Sequence, residues 1–273
     1  MKKNIKRIGV LTSGGDCSGM NAVIRSVVRS GIYSGFEVYG IYHGYQGLLG
    51  GKIKKMSCRS VGNIINRGGT ILKTARSQQF ETPEGRTQAM DTLRGKMIDA
   101  LIVIGGDGSL IGAHLLYKEH HIPVIGIPAT IDNDLHGTDF SVGTDTAVNV
   151  ALEAIDKIRD TAISMERIFV IEVMGRDIGY IALQVALAAG AEEVLVPEID
   201  YDVESMVLDI KKGRKKGKIS WVIVVAEGAT SAAEIAKQII DMTGFDTRIT
   251  VLGYLQRGGS PTAMDRILAA SFG

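Results

Sequence analysis

Apolar residues along the chain come in short runs, at 8–11, 37–41, 101–104, 124–127, 168–173, 193–196, 221–225 and 250–252. Runs of this length without polar alternation read as strands covered on both faces, the pattern of parallel sheets. Between them, the spacing of apolar positions predicts helices over 21–30, 83–94, 145–160, 177–189 and 231–242. Parallel strands need crossover connections, so this rhythm predicts an α/β protein built from βαβ units. A boundary is expected near Gly137-Thr138-Asp139, where a polar loop ends and a long helix opens a new series of strands; the second domain is placed at 139–250.

Composition narrows the classes. The 273 residues suffice for one large or two modest domains. With 31 basic and 30 acidic residues there is no overall field to attract nucleic acid, so any phosphate binding must come from local clusters. No segment approaches the roughly 18 uninterrupted apolar residues of a membrane span. The basic start, Met1-Lys2-Lys3-Asn4-Ile5-Lys6-Arg7, leads into an apolar stretch too short for a signal peptide. The only cysteines, Cys17 and Cys58, make neither a disulfide scaffold nor a zinc site and fit a reducing cytoplasm, where the protein is expected.

The chemistry concentrates where predicted strands end. Gly105-Gly106-Asp107-Gly108-Ser109 follows the run at 101–104, so its glycines fall where a strand turns into a helix and exposes N–H groups to a polyphosphate. Asp107 suits Mg²⁺, a hard cation that bridges nucleotide phosphates, although an aspartate there also caps the next helix. Pro128-Ala129-Thr130-Ile131-Asp132-Asn133-Asp134 follows the next strand. It offers Asp132 and Asp134, one carboxylate to take a proton from an attacking hydroxyl and one to help position it, beside the Thr130 hydroxyl. A further glycine turn, Ser13-Gly14-Gly15-Asp16, follows the first run but matches neither the dinucleotide nor the P-loop fingerprint. Arg76 follows the Gly68-Gly69 turn and suits a nucleotide phosphate. Arg167, Arg176, Arg248 and Arg257 flank predicted strand ends, and each taken singly reads as a surface arginine. The basic run at 211–218 reads equally as a solvated helix end or a phosphate site.

Five ordered segments together are more specific than any one of them. The run at 9–16, Gly-Gly-Asp-Gly-Ser at 105–109, Thr-Ile-Asp-Asn-Asp at 130–134, Val-Met-Gly-Arg at 173–176 and Gln-Arg-Gly-Gly-Ser-Pro at 256–261 closely resemble the bacterial ATP-dependent 6-phosphofructokinase family across essentially the whole chain. The resemblance implies two Rossmann-like three-layer αβα domains with mainly parallel sheets. The first, ATP-binding domain would be 1–138 with 251–273; the second, over 139–250, would bind fructose 6-phosphate. It implies transfer of the ATP γ-phosphoryl group to O1 of that sugar, the committed step of glycolysis, with Asp132 as base and Mg²⁺ at Asp107. Gly15, Arg76, Ser77, Gly106, Gly108 and Ser109 would form the nucleotide site. Thr130, Asp132, Asp134, Met174, Gly175, Arg176, Glu227, Tyr254 and Arg257 would meet the sugar, with Arg167 and Arg248 reaching in from a neighbour in a homotetramer. Arg176 would also stabilise charge on the transferred group. Arg25, Arg29, Arg159, Glu192 and Lys218 would bind an effector, ADP or phosphoenolpyruvate.

Two positions bear on the donor. Pyrophosphate-dependent relatives usually carry Asp where this chain has Gly108 and Lys where it has Ala129, so ATP is expected here. Tyr254 replaces a frequent histidine, offering a hydrogen bond without charge. The resemblance also implies further elements beyond Ala269-Ala270-Ser271-Phe272-Gly273 to complete the first domain. Beside the ATP-dependent kinase stand the pyrophosphate-dependent reaction and a non-catalytic nucleotide-binding subunit. Lipid and NAD kinases share a Gly-Gly-Asp-Gly loop, but not the segments at 130–134 and 256–261.

Overall fold

Strand β1 (Arg7–Thr12) buries every residue but its first, because it has a parallel neighbour on each side. This holds in a computed structural model that describes residues 5–273, so the leading part of the basic start, residues 1–4, lies outside the described residues. On one side β2 (Glu37–Ile41) sets Arg7 opposite Glu37 and Leu11 opposite Ile41; on the other β4 (Ala100–Gly105) sets Thr12 opposite Ile104. Strand β5 (Val124–Pro128) continues beyond β4 with Gly105 opposite Pro128, and β3 (Ile53–Lys55) pairs antiparallel with β2, giving the order β3-β2-β1-β4-β5. Helices α1 (Met20–Tyr33), α2 (Gly44–Leu49), α3 (Pro83–Gly95) and α4 (Asp107–His120) connect these strands. Leu11, Ile41, Leu93, Leu101, Val103 and Leu116 form one core between sheet and helices. Successive connections leave β1 and β4 in opposite directions across the sheet, which opens a crevice outside their carboxyl ends.

The second unit repeats the principle. Strands β6 (Ile168–Val173), β7 (Glu193–Leu195), β8 (Trp221–Ala226) and β9 (Thr247–Val251) form an all-parallel sheet in the order β7-β8-β6-β9. Strand β8 is buried throughout, and Val170, Ile223, Val225, Ile210, Ile235 and Ile239 make its core. Around it lie α5 (Thr144–Ser164), α6 (Tyr180–Ala189), α7 (Val203–Lys215) and α8 (Ala232–Thr243). Helix α8 begins where the Ser231 hydroxyl accepts from the Glu234 N–H and stops at Gly244, whose φ of 70° suits a residue without a Cβ. Helix α9 (Ala263–Phe272) returns to the first unit, with Thr262 capping its start by accepting from the Asp265 N–H. No helix among the described residues is long and apolar enough to cross a membrane.

The chain divides into the described residues through Asp145 together with Arg257–Gly273, and Thr146–Gln256. The sequence places the first division at 138/139, but residues 139–145 stay with the first unit for a visible reason. Val142 N–H donates to Pro128 O, Ser141 Oγ donates to Thr130 O, and Gly143 N–H donates to the buried Asp265 carboxylate. Helix α6 starts at Tyr180 rather than 177, since a turn comes first, in which the Ile178 N–H donates to Gly175 O at 3.0 Å and the Gly179 N–H to Glu198 Oε1 at 2.8 Å. Strand β9 starts at Thr247, before the apolar run, because pairing with β6 runs from Ile168 opposite Thr247.

At the sheet margin Glu37 receives both Lys55, at 2.5 Å, and Arg7, at 2.6 Å. The Lys55 ammonium first, and the Arg7 guanidinium second, hold its carboxyl at about 2 against an ordinary value of 4.5. A depressed folded-state value means stability that is present above pH 4.5 and is lost as pH falls toward 2. Urea unfolding of the wild type and Glu37→Gln at low ionic strength should therefore show a gap that is constant above pH 5.5 or so and closes as the pH drops below about 4.5. An unchanged gap at pH 3 would contradict this origin.

Candidate active site

The strand register brings three loops to one edge of the first sheet. After β1, Ser13 N–H donates to Ile104 O at 3.0 Å and Gly14 takes φ 83°, so the backbone leaves the sheet beside β4. Gly15 is exposed; a Cβ there would stand 3.1 Å from the Arg257 guanidinium. After β4, Gly105 packs so closely that a Cβ would meet Ser13 O at 2.6 Å. Gly106 then caps α4, whose first residues, Asp107 and Gly108, are exposed and whose third, Ser109, is buried. Nothing lies within 4 Å of where a Gly108 Cβ would be, so the loop is open at that point. Helix α4 thus presents its N-terminus and a flexible glycine backbone outward, the arrangement that receives anionic oxygens.

The third loop carries the carboxylates. Asp132 is 6% exposed, and its N–H donates to Thr130 Oγ1 at 3.2 Å, with that hydroxyl 3.4 Å from Asp132 Oδ2. Thr130 is itself fixed, because its carbonyl accepts from Ser141 Oγ at 2.7 Å and Thr144 Oγ1 at 3.0 Å. Asn133, at φ 53°, reverses the chain and is pinned by an N–H from Ser141 to its Oδ1 and by its own Nδ2 donating to Asp139 O. Asp134 is half-buried. The Ala129 N–H donates to Gly105 O at 3.0 Å, and a Cβ placed on Gly106 would come within 3.5 Å of Thr130 Cβ, so the glycine loop and the carboxylate loop run side by side. The two sets of residues are therefore neighbours on adjacent strand ends.

Further segments close around this edge. Thr74 Oγ1 donates to Gly14 O at 2.6 Å, Asn21 Nδ2 donates to Arg67 O and Gly68 O, and Ser260 Oγ donates to Asn66 O. Gly68 lies so near Gly259 that a Cβ would meet its carbonyl at 2.3 Å. Arg76 is exposed, and Ser77 Oγ donates to Gln46 Oε1 at 2.8 Å. The ring of Tyr45 stacks on Phe80 at 3.7 Å, and its hydroxyl donates to Ser109 O. Arg257 donates to the Asp16 carboxylate and, from Nε, to Asp16 O at 3.3 Å. This last pair ties the 256–261 segment to the first glycine turn; sequence reasoning assigned Arg257 but missed Asp16. Cys17, fully buried, donates its thiol to Val142 O at 3.2 Å; burial foremost, then the Asp265 carboxylate, pushes its thiol far up, so it is no nucleophile.

The second unit gathers its own candidates at strand ends. Glu227, just after β8, accepts the N–H of Gly175 at 3.2 Å and of Arg176 at 2.9 Å. Gln256 Oε1 accepts the Met174 N–H at 2.8 Å. Arg167 pairs with Asp246 at 2.5 Å and Arg248 with the same carboxylate at 3.2 Å, while Tyr254 is 80% exposed. Of the expected effector residues, Lys218 Nζ lies 2.7 Å and Arg159 Nη1 3.8 Å from Glu192 Oε1, and Lys218 also sits over the Trp221 ring. Arg25 and Arg29 lie on α1 in the first unit, half-buried and exposed respectively.

No group of three or more His, Cys, Asp or Glu able to hold an ion by themselves occurs among the described residues. Mg²⁺ arriving on a nucleotide keeps waters and phosphate oxygens and asks the protein for only one or two carboxylates. Asp107, exposed at the mouth of the glycine loop, can meet that demand.

A phosphofructokinase family model matches residues 7–273. A protein named ATP-dependent 6-phosphofructokinase from Natranaerobius thermophilus is 57% identical over 269 residues, covering 98% of this chain and 84% of that protein. One of the same name from Bacillus subtilis is 56% identical over 269 residues, with the same coverage. Among solved structures, phosphofructokinase from Saccharomyces cerevisiae superposes with a TM-score of 0.91 at 40% identity, covering 97% of this chain and 40% of that one.

The glycine loop can be probed by adding one methyl group at a time. Gly105→Ala drives a Cβ to 2.6 Å from Ser13 O, and should lower unfolding stability in urea by about 1–3 kcal/mol. Gly108→Ala meets nothing within 4 Å, and should stay within about 0.5 kcal/mol of the wild type. Equal losses at the two positions would contradict the packing described.

Proposed function

Because this chain belongs to the phosphofructokinase family, we propose that it transfers the γ-phosphoryl group of ATP to O1 of fructose 6-phosphate, giving fructose 1,6-bisphosphate and ADP. The observation that carries this reading is the approach of an open glycine loop, 105–109, to a loop, 130–134, that holds the buried Asp132 carboxylate, with the Ala129 N–H donating to Gly105 O at adjacent parallel strand ends. One loop suits a polyphosphate and the other a hydroxyl that must lose its proton.

In this reading the nucleotide phosphates lie along Gly15, Gly106, Gly108 and Ser109, with Arg76 and Ser77 beside them. Asp107 holds Mg²⁺, which when bound neutralises charge on the phosphate oxygens. Asp132 accepts the proton of the sugar O1 hydroxyl as O1 bonds to the γ-phosphorus. The bond from that phosphorus to the β,γ-bridging oxygen breaks, and ADP leaves with the electron pair. Thr130 donates to a phosphoryl oxygen, and Arg176 stabilises the charge that spreads over the transferred group. Asp134, Met174, Gly175, Glu227, Tyr254 and Arg257 hold the sugar phosphate, assisted by Arg167 and Arg248 of a neighbouring copy in a homotetramer. Arg159, Glu192 and Lys218 in the second unit, and Arg25 and Arg29 on α1, contribute to an effector site between subunits that takes ADP or phosphoenolpyruvate. A cytoplasmic location follows from the metabolites used.

ATP rather than pyrophosphate is the donor, because Gly108 leaves open space where a larger or charged side chain would crowd the nucleotide, and Ala129 supplies no cation in exchange. A coupled assay with Mg²⁺ and either donor tests this directly. Turnover is expected with ATP and not with pyrophosphate. Asp132→Asn should lower kcat by about a hundredfold to ten-thousandfold with a smaller change in the fructose 6-phosphate KM. Turnover with pyrophosphate alone would replace the donor assignment, and full activity of Asp132→Asn would remove the proposed base.

A further inference from the structure

After β6 the chain passes through three successive N–H groups, those of Met174, Gly175 and Arg176, and the structure gives each of them to a side chain from elsewhere in the second unit. Met174 donates to Gln256 Oε1 at 2.8 Å; Gly175 and Arg176 donate to one oxygen of Glu227, at 3.2 and 2.9 Å. Glu227 holds the segment a third time through its own N–H, which donates to Val173 O at 3.0 Å. Gln256 is wholly buried, and its Nε2 finds no acceptor, so the amide is placed there for its oxygen.

The backbone so held is an unfavourable one. Gly175 has φ 148° and Arg176 φ 51°, and the second value is costly for a residue that carries a Cβ. Neighbouring glycines show how tightly the turn is drawn. A Cβ on Gly175 would meet Ile178 O at 2.6 Å, and one on Gly228 would meet Arg176 O at 1.9 Å. Left-handed arginine persists only where its surroundings over-determine it. Here the determinant is a carboxylate accepting from two adjacent N–H groups, the concavity that otherwise binds an anion.

We infer that Glu227 is a positioning residue: its carboxylate occupies the backbone concavity at 175–176, with Gln256 holding residue 174, and so fixes Arg176 in the left-handed conformation from which its side chain acts. The kinetic part of this inference rests on the proposed phosphotransferase function, in which Arg176 serves the transferred group; the backbone part does not. A residue that only touched the sugar would change substrate affinity and leave the backbone of the loop as it is.

The test uses the full chain and two substitutions. Glu227→Gln keeps an oxygen that can accept both N–H groups, whereas Glu227→Ala removes it. Amide hydrogen exchange without substrates should be about tenfold or more faster at Gly175 and Arg176 in Glu227→Ala and close to wild type in Glu227→Gln. In kinetics, Glu227→Ala and Arg176→Ala should each lower kcat by about a hundredfold, and the double variant should be no slower than Arg176→Ala alone. Because Glu227 also meets the sugar in the proposed function, Glu227→Gln should raise the fructose 6-phosphate KM, but it should lower kcat at least about tenfold less than Glu227→Ala does. Unaltered exchange in Glu227→Ala, or losses that multiply in the double variant, would overturn the inference. If the wild type shows no phosphoryl transfer, the functional reading falls, and hydrogen exchange still decides for or against the clamp.

Discussion

Parallel pairing of β1, β4 and β5 in fixed register is the constraint from which the candidate site follows. Thr12 stands opposite Ile104 and Gly105 opposite Pro128, so two consecutive ladders end within one residue of each other. A slip by one residue between β1 and β4 would exchange the faces of that strand's side chains and bring a residue with a Cβ to the place where even one carbon on Gly105 would meet Ser13 O at 2.6 Å. The loops that leave these strands are therefore delivered together at one edge. Gly105 is the point where this delivery is tightest, because β1 and β4 approach there to a distance that excludes any side chain.

Two kinds of side chain then finish what the sheet begins. In the first unit, Ser141, Thr144 and Asn133 hold the carboxylate loop by its backbone, and Asp265 on α9 reaches back to the Gly143 N–H. In the second, Glu227 and Gln256 do the same for the loop after β6. Loops with few apolar contacts depend on such bonds for their shape, since each buried or strained peptide group needs a partner. The site-bearing loops of both units are thus rigid for local, identifiable reasons.

Much of this was legible in the sequence. The central strands β1, β4 and β8 announce themselves as uninterrupted apolar runs, since a strand covered on both faces tolerates little else. What escaped has physical causes. Strand β3 is Ile53-Lys54-Lys55, an edge whose lysines discourage further pairing and hide it from any apolar count. Helix α2 is masked by its glycines; Gly47 is required because a Cβ would fall 1.5 Å from Tyr42 O. Helix α7 shows apolar spacing at Val203, Met206, Val207 and Ile210 with Asp202 as its cap, a signal that was available and outweighed by the basic run at its end. The glycine and carboxylate loops were identifiable because their chemistry is local. The pairing of Arg257 with Asp16, separated by 241 positions, and the capture of the 174–176 backbone by Glu227 and Gln256 were not, because no local pattern encodes a contact made only after folding.

The central claim is that the loop edge of the first sheet carries phosphoryl transfer from a nucleotide to a sugar hydroxyl. Phosphorus NMR of the purified chain with Mg²⁺, ATP and fructose 6-phosphate follows the reacting group itself. The γ-phosphate signal should disappear at the rate at which a C1 phosphomonoester of the sugar appears, with no accumulation of inorganic phosphate. Release of inorganic phosphate without a new sugar ester, or an unchanged spectrum, would contradict it.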